Sequence, residues 1–169
     1  LLTINEHKGA LKGVRVAYIG DGNNVASSLS LACSSVGSEI VLASPPGYQL
    51  PQKIFERAKQ IGEPVGSEVK LVELPEDAVH DADVVYTDVW ASMGQESEIQ
   101  QRRVDLETYQ VDSEMMSLAK DDAIFMHDLP AHEGEEIAYG MLDHPQSVVF
   151  DQAENRLHAQ KAILEKLFQ

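Results

Sequence analysis

The sequence predicts an α/β fold: a doubly wound, five-stranded parallel sheet in the order 3-2-1-4-5, with helices on both faces. Two observations predict it. Short β-branched or apolar runs alternate along the chain with segments of helical periodicity. Polar segments containing glycine or proline fall just after three of the runs, where ligands sit in such sheets.

Val14 to Ile19 reads as the first strand and ends at Gly20. A helix over Asn23 to Val36 follows, with Val25, Leu29, Ala32 and Val36 on one face and Gly37 as its C-cap. Glu39 to Ala43 is the second strand. Ser44-Pro45-Pro46-Gly47 breaks the chain before a helix from about Pro51 to Ile61. Val69 to Val72, Asp83 to Tyr86 and Ala123 to Met126 read as three more strands, with a helix over Asp112 to Ala119 before the last of them. A final helix is expected from Asp151, with Glu154 at the reciprocal capping position and Leu157, Leu164, Leu167 and Phe168 on one face.

The 169 residues suffice for one domain with a core, taken as 1–169. A net charge of -15 argues against nucleic acid and anionic membrane surfaces as partners. Cys33 is the only cysteine, so no internal disulfide is possible, which fits a reducing cytoplasm. The start, Leu1-Leu2-Thr3-Ile4-Asn5-Glu6-His7, lacks an initiator Met and the features of a signal peptide. The chain is therefore expected to begin inside a longer protein or to be processed.

Three loops should converge on one edge of the sheet. Gly20-x-Gly22 after the first strand invites a dinucleotide reading. Val25 stands where the third glycine belongs, however, and Ala43-Ser44 where an acidic ribose-binding residue belongs. The alternative is a tight turn with Asn23 or Asn24 capping a helix whose N-terminus suits a carboxylate ligand. Asp88-Val89-Trp90-Ala91-Ser92-Met93-Gly94 offers a carboxylate for a substrate ammonium, or is a surface turn around a packed Trp. In His127-Asp128-Leu129-Pro130-Ala131-His132-Glu133 the His-x4-His spacing is weak as a metal signal. A histidine at a strand end can also polarise a carbonyl oxygen, and Leu129-Pro130 is a candidate cis bond. Arg156 is either solvated or aimed at an anionic or carbonyl ligand. His7, His80, His144 and His158 read as surface or structural histidines.

Together these segments resemble the ornithine carbamoyltransferases. The matching pieces are Thr3-Ile4-x-Glu6-His7, the run Val16 to Val25, the run Asp83 to Glu96 and Phe150-Asp151-x-Ala153-Glu154-Asn155-Arg156. They lie in family order and at family spacing, and Asp-x-Trp-x-Ser-Met-Gly separates ornithine enzymes from aspartate ones.

The resemblance implies a Rossmann-like ornithine-binding domain of a transferase of arginine biosynthesis or wider arginine metabolism, in the cytoplasm. Its reaction joins the ornithine δ-amine to the carbamoyl group of carbamoyl phosphate, giving citrulline and phosphate. By the same resemblance Asn24, Asp88, Ser92 and Met93 bind ornithine. His127, Asp128, Leu129 and Arg156 lie at the carbamoyl group, with His127, Asp128 and Arg156 as the catalytic set. No metal or organic cofactor is implied. Residues 1–12 correspond to the remnant of an interdomain linker helix and 151–169 to the C-terminal helix. By the same resemblance, the N-terminal carbamoyl phosphate domain, with its Ser-x-Arg-Thr loop and most of the family's trimer interface, is expected to lie outside these 169 residues. Two residues depart from the family. Asp128 stands where Cys is usual, and Glu133 where many bacterial members have Arg; both add negative charge beside the site. The isolated chain is expected to be inactive, and the competing readings are a non-catalytic amino-acid-binding module and an engineered scaffold.

Overall fold

The computed structural model describes every residue except Ser92, Met93 and Gln95. A short helix, α1 (Leu2–Lys8), leads into β1 (Arg15–Ile19), α2 (Asn24–Val36), β2 (Glu39–Ala43), α3 (Gln52–Gly62) and β3 (Val69–Val72). Then come α4 (Pro75–Val79), β4 (Val84–Thr87), α5 (Ile99–Asp105), α6 (Ser113–Met116), β5 (Ile124–His127) and α7 (Val149–Leu167). The five strands form one sheet, β3-β2-β1-β4-β5, and every pairing is parallel. The expected order is therefore the observed one.

Strand periodicity sorts the core into two layers. Ala17, Ile19, Val41, Val85 and Phe125 face one side, while Val16, Tyr18, Ile40, Leu42, Val84 and Met126 face the other. Both layers are buried, which is why these strands read as continuous apolar runs rather than alternating ones. No helix among the described residues is long and apolar enough to cross a membrane.

The structure revises three helices. On α2 the fully buried positions are Ala26, Ser30, Cys33 and Ser34, with Val25 and Leu29 at the flank. Small side chains let the helix lie close to the sheet, and Ser30 satisfies its hydroxyl on the Ala26 carbonyl at 2.7 Å. The segment expected as a helix over Asp112 to Ala119 is only one turn long, Ser113–Met116, although Asp112 does cap it through the Met115 amide at 2.7 Å. The last helix starts at Val149 rather than Asp151, and no side chain caps it, so Glu154 has no capping role. Burial decides the start: Val149 is fully enclosed in the core and carries the first turn with it. Asp151 instead meets His7 of α1 at 2.9 Å. The apolar residues expected to bury one face of this helix lie open, Leu164 at 53% and Phe168 at 86% exposure.

Gly22 illustrates a glycine required by close approach. A Cβ there would lie 2.4 Å from the Leu50 amide nitrogen and 2.5 Å from the Gln49 carbonyl carbon. The Gly22 amide donates to the Tyr48 carbonyl at 2.7 Å. The second glycine of the Gly-x-Gly pair thus serves a chain crossing. Because the obstacle is backbone, Gly22→Ala is expected to destabilise the fold by about 1–3 kcal/mol. Urea unfolding of both forms measures this, and a midpoint equal to the parent's would show that the Gln49–Leu50 crossing yields freely.

Candidate functional site

The register of the sheet builds the site. Thr87 pairs with Ile19 on one side and with His127 on the other. The residues that follow, Gly20, Asp88 and Asp128, therefore leave three adjacent strands at one edge, and the three loops converge as expected. Asp88 and Asp128 stand abreast, and their carboxylates and the His127 imidazole present ligand atoms within 4.8 Å of one another.

Asp88 is buried and firmly held. Its Oδ2 accepts from Asn23 Nδ2 at 2.7 Å and its Oδ1 from the Val89 amide at 2.7 Å. Asn23 in turn caps α2, accepting from the Val25 and Ala26 amides at 2.9 and 3.1 Å and from the Tyr18 hydroxyl at 3.3 Å. Thus Asn23 is the cap and Asn24 the first residue of the helix, exposed at its N-terminus.

Asp128 is less well satisfied. Its Oδ1 is buried and accepts no hydrogen bond, and His127 Nδ1 lies 3.9 Å away. Burial, and then the negative charge of Asp88, push its carboxyl up to about 6. Burial likewise raises the neighbouring phenols of Tyr86 and Tyr18, so both stay neutral donors.

His127 is fully buried, and its ring is engaged within the loop. Nδ1 accepts the Leu129 amide at 2.9 Å, so the ring proton belongs on Nε2, which faces Glu136 Oε1 at 3.3 Å. The Leu129-Pro130 peptide is cis, as the sequence suggested, and Leu129 has φ 57°. Arg156 is exposed and lines an open cavity of about 530 Å³ with Asp128, Leu129, Tyr86 and Gln152. The structure thus brings Asp128, Leu129 and Arg156 to one cavity, with His127 behind them and Asp88 beside Asp128. Ser92 and Met93 lie outside the described residues.

Two residues of the site escaped sequence reading. Gln152 on α7 accepts the His127 amide at 3.1 Å and donates to the Tyr86 hydroxyl at 2.8 Å, fixing the helix that carries Arg156 to the ends of β4 and β5. Arg102 on α5 is buried, donating to Asp21 at 2.7 Å and to the Trp90 carbonyl at 2.9 Å. It ties the loop after β4 to the loop after β1. Its only sequence signal is the Glu98–Arg102 spacing, which the structure realises at 3.0 Å. His127 and His132 do not share a site: the first groups with Asp88 and Asp128, the second with Glu135 and Glu136.

Comparison with known proteins adds to this geometry. Residues 12–167 match the family model "Aspartate/ornithine carbamoyltransferase, Asp/Orn binding domain". An ornithine carbamoyltransferase of Acidothermus cellulolyticus is 54% identical over 167 residues, covering 99% of this chain and 54% of that protein. An anabolic ornithine carbamoyltransferase of Pyrococcus furiosus is 52% identical over 96% of this chain and 52% of its own length. A solved structure of ornithine carbamoyltransferase from Pyrococcus furiosus superposes with a TM-score of 0.92 at 52% identity, over 96% of this chain and 52% of that one. One from Thermus thermophilus superposes at 0.86 and 37% identity, over 99% of this chain and 53% of that one. The chain spans about half the length of the curated relatives it matches.

Proposed function

Since the chain belongs to the aspartate/ornithine carbamoyltransferase family, matching its Asp/Orn-binding domain, we propose that it is the ornithine-binding half of an ornithine carbamoyltransferase. The observation that carries this reading is the braced Asp88 carboxylate at the end of β4, beside a cavity lined by Asp128, Leu129 and Arg156. Asp88 needs no reorganisation to receive an ammonium, because Asn23 and the Val89 amide already hold it. Asn24, at the positive end of α2, takes the ornithine carboxylate. The family resemblance also assigns Ser92 and Met93 to ornithine, with Ser92 at the α-amino end.

The δ-amine then lies between Asp128 and the Leu129 carbonyl. Arg156 faces the cavity and binds the carbamoyl oxygen, whose charge grows as the amine adds. With its ring turned inward, His127 acts in this reading by holding the Leu129 amide, which aims the loop, rather than by touching the oxygen. The amine forms a C–N bond at the carbamoyl carbon, phosphate leaves with the C–O bonding pair, and the amine's proton goes to solvent.

Residues 1–12 and α7 form the side toward the relatives' remaining half. Asn155 of α7 donates to Thr3 and Glu6 of α1 at 3.0 and 2.6 Å, which ties the two helices together. The open apolar residues Leu157, Ile163, Leu164 and Leu167 of α7 then pack on the carbamoyl phosphate domain. The product, citrulline, places the protein in arginine metabolism.

Calorimetry with ornithine tests the site on the chain as it exists. Asp88→Asn keeps the shape and removes the charge, and is expected to weaken ornithine binding about tenfold or more. Equal binding by the two forms would overturn the role given to Asp88. Norvaline, which lacks the δ-amine, should keep the contacts to Asp88 and lose those at Asp128.

A further inference from the structure

The loop after β5 carries a second chemical group that the proposed reaction does not use. His132, Glu135 and Glu136 lie on one turn around Gly134, which has φ 90° and admits it. The Glu135 amide donates to the His132 carbonyl at 3.0 Å. One imidazole nitrogen and one oxygen from each carboxylate fall within 4.8 Å of one another.

Glu136 is fully buried, and its two oxygens are treated unequally. Oε1 accepts the His132 amide at 2.5 Å and faces His127 Nε2. Oε2 is buried with no hydrogen-bond donor, 3.7 Å from His132 Nδ1 and beyond hydrogen-bond range. A buried carboxylate oxygen without a donor is costly, so this atom marks a place where a positive ligand is strongly favoured. Glu135 gives one oxygen to Arg103 at 2.5 Å, which leaves its second oxygen available. The His132 side chain is 54% exposed, so an ion can enter from solvent.

We propose that His132, Glu135 and Glu136 form a binding site for a divalent transition metal of the Zn2+ type. One imidazole with two carboxylates suits such ions, whereas Ca2+ asks for six to eight oxygens. Bonds of about 2.0–2.2 Å require the group to close slightly, and His132, held only at its backbone, turns to allow it. Water fills the remaining positions. The site borders the Asp88, His127 and Asp128 group only where Glu136 Oε1 faces His127 Nε2, and its ligand atoms form a different set. The inference is independent of the proposed reaction.

Titration of the chelator-stripped chain with Zn2+ in a calorimeter tests it. A single site is expected. His132→Ala, a change on the surface, should weaken it about tenfold or more, and Asp128→Asn should leave it unchanged. Glu136→Gln should also weaken binding; if that variant fails to fold, His132→Ala decides alone. Absence of Zn2+ binding overturns the proposal. So does binding that survives His132→Ala, or binding lost in Asp128→Asn, which would place the ion at the substrate loop.

Discussion

Purified on its own, the 169-residue chain is expected to form no citrulline above the uncatalysed background. Among the described residues, the cavity at the strand ends offers a phosphate-bearing substrate one basic side chain, Arg156, while Asp128 and Asp88 repel it. The net charge of -15 keeps anions away further. Catalysis of amine attack rests on holding both reactants in contact geometry, and that orientation is worth about 7–11 kcal/mol of barrier. Converted to rate, this is a factor on the order of 10⁵ to 10⁸. A chain that grips ornithine alone forgoes it. Joining the carbamoyl phosphate-binding half of a relative to Leu1 should restore turnover, and Arg156→Ala in the joined protein should remove most of it again. Citrulline formation by the chain alone, after active-site contaminants are excluded by a parallel Asp88→Asn preparation, would refute this.

The sheet was legible because four of its strands, β1, β2, β4 and β5, are buried on both faces, so their apolar runs are nearly unbroken and end at polar loops, while the edge strand β3 keeps three apolar residues around the exposed Lys70. Strand positions then fixed which loops meet. What the sequence did not show depends on partners distant along the chain. The start of α7 was misplaced because the local capping pattern at Asp151 and Glu154 is overridden by the burial of Val149. Arg102 carries no sequence signal beyond its spacing from Glu98. Only its reach of 81 positions back to Asp21 makes it a buried tie between loops. Gln152 similarly spans to Tyr86 and His127. The inward set of His127 rests on the backbone turn at Leu129, which residue types alone do not encode. Asp128 was visible as a departure from the family. Its closeness to Asp88 follows only from the Thr87 and His127 pairing.

That closeness sets the expected outcome at Asp128 in the joined protein: Asp128→Cys should speed citrulline formation at neutral pH by on the order of tenfold, from an amine shift of about one unit or more. The amine attacks only when deprotonated, and an ornithine δ-amine titrates near the lysine value of about 10.4. With a carboxyl pKa of about 6, Asp128 is mostly ionised at pH 7, and a bound ammonium pulls that value lower still. The carboxylate therefore raises the amine's pKa and makes the nucleophile scarcer. Asp128 also offers a compensating route, since it can accept the amine's proton directly. The two routes compare simply. Transfer to Asp128 yields as much free amine as loss to solvent only when the pH equals the acid's own pKa, about 6. Above that pH loss to solvent dominates, and the carboxylate is a net hindrance. Below it the transfer route takes over, and at lower pH still, where Asp128 is protonated even beside the ammonium, the hindrance and the advantage of cysteine both fade. The advantage should fade again at high pH, where the amine is free in either protein. A pH–rate profile of both forms therefore has its widest gap between about 6 and the amine's pKa. If Asp128→Cys is slower across that whole interval, Asp128 is a working base, and its raised proton affinity beside Asp88 is what suits it to the role.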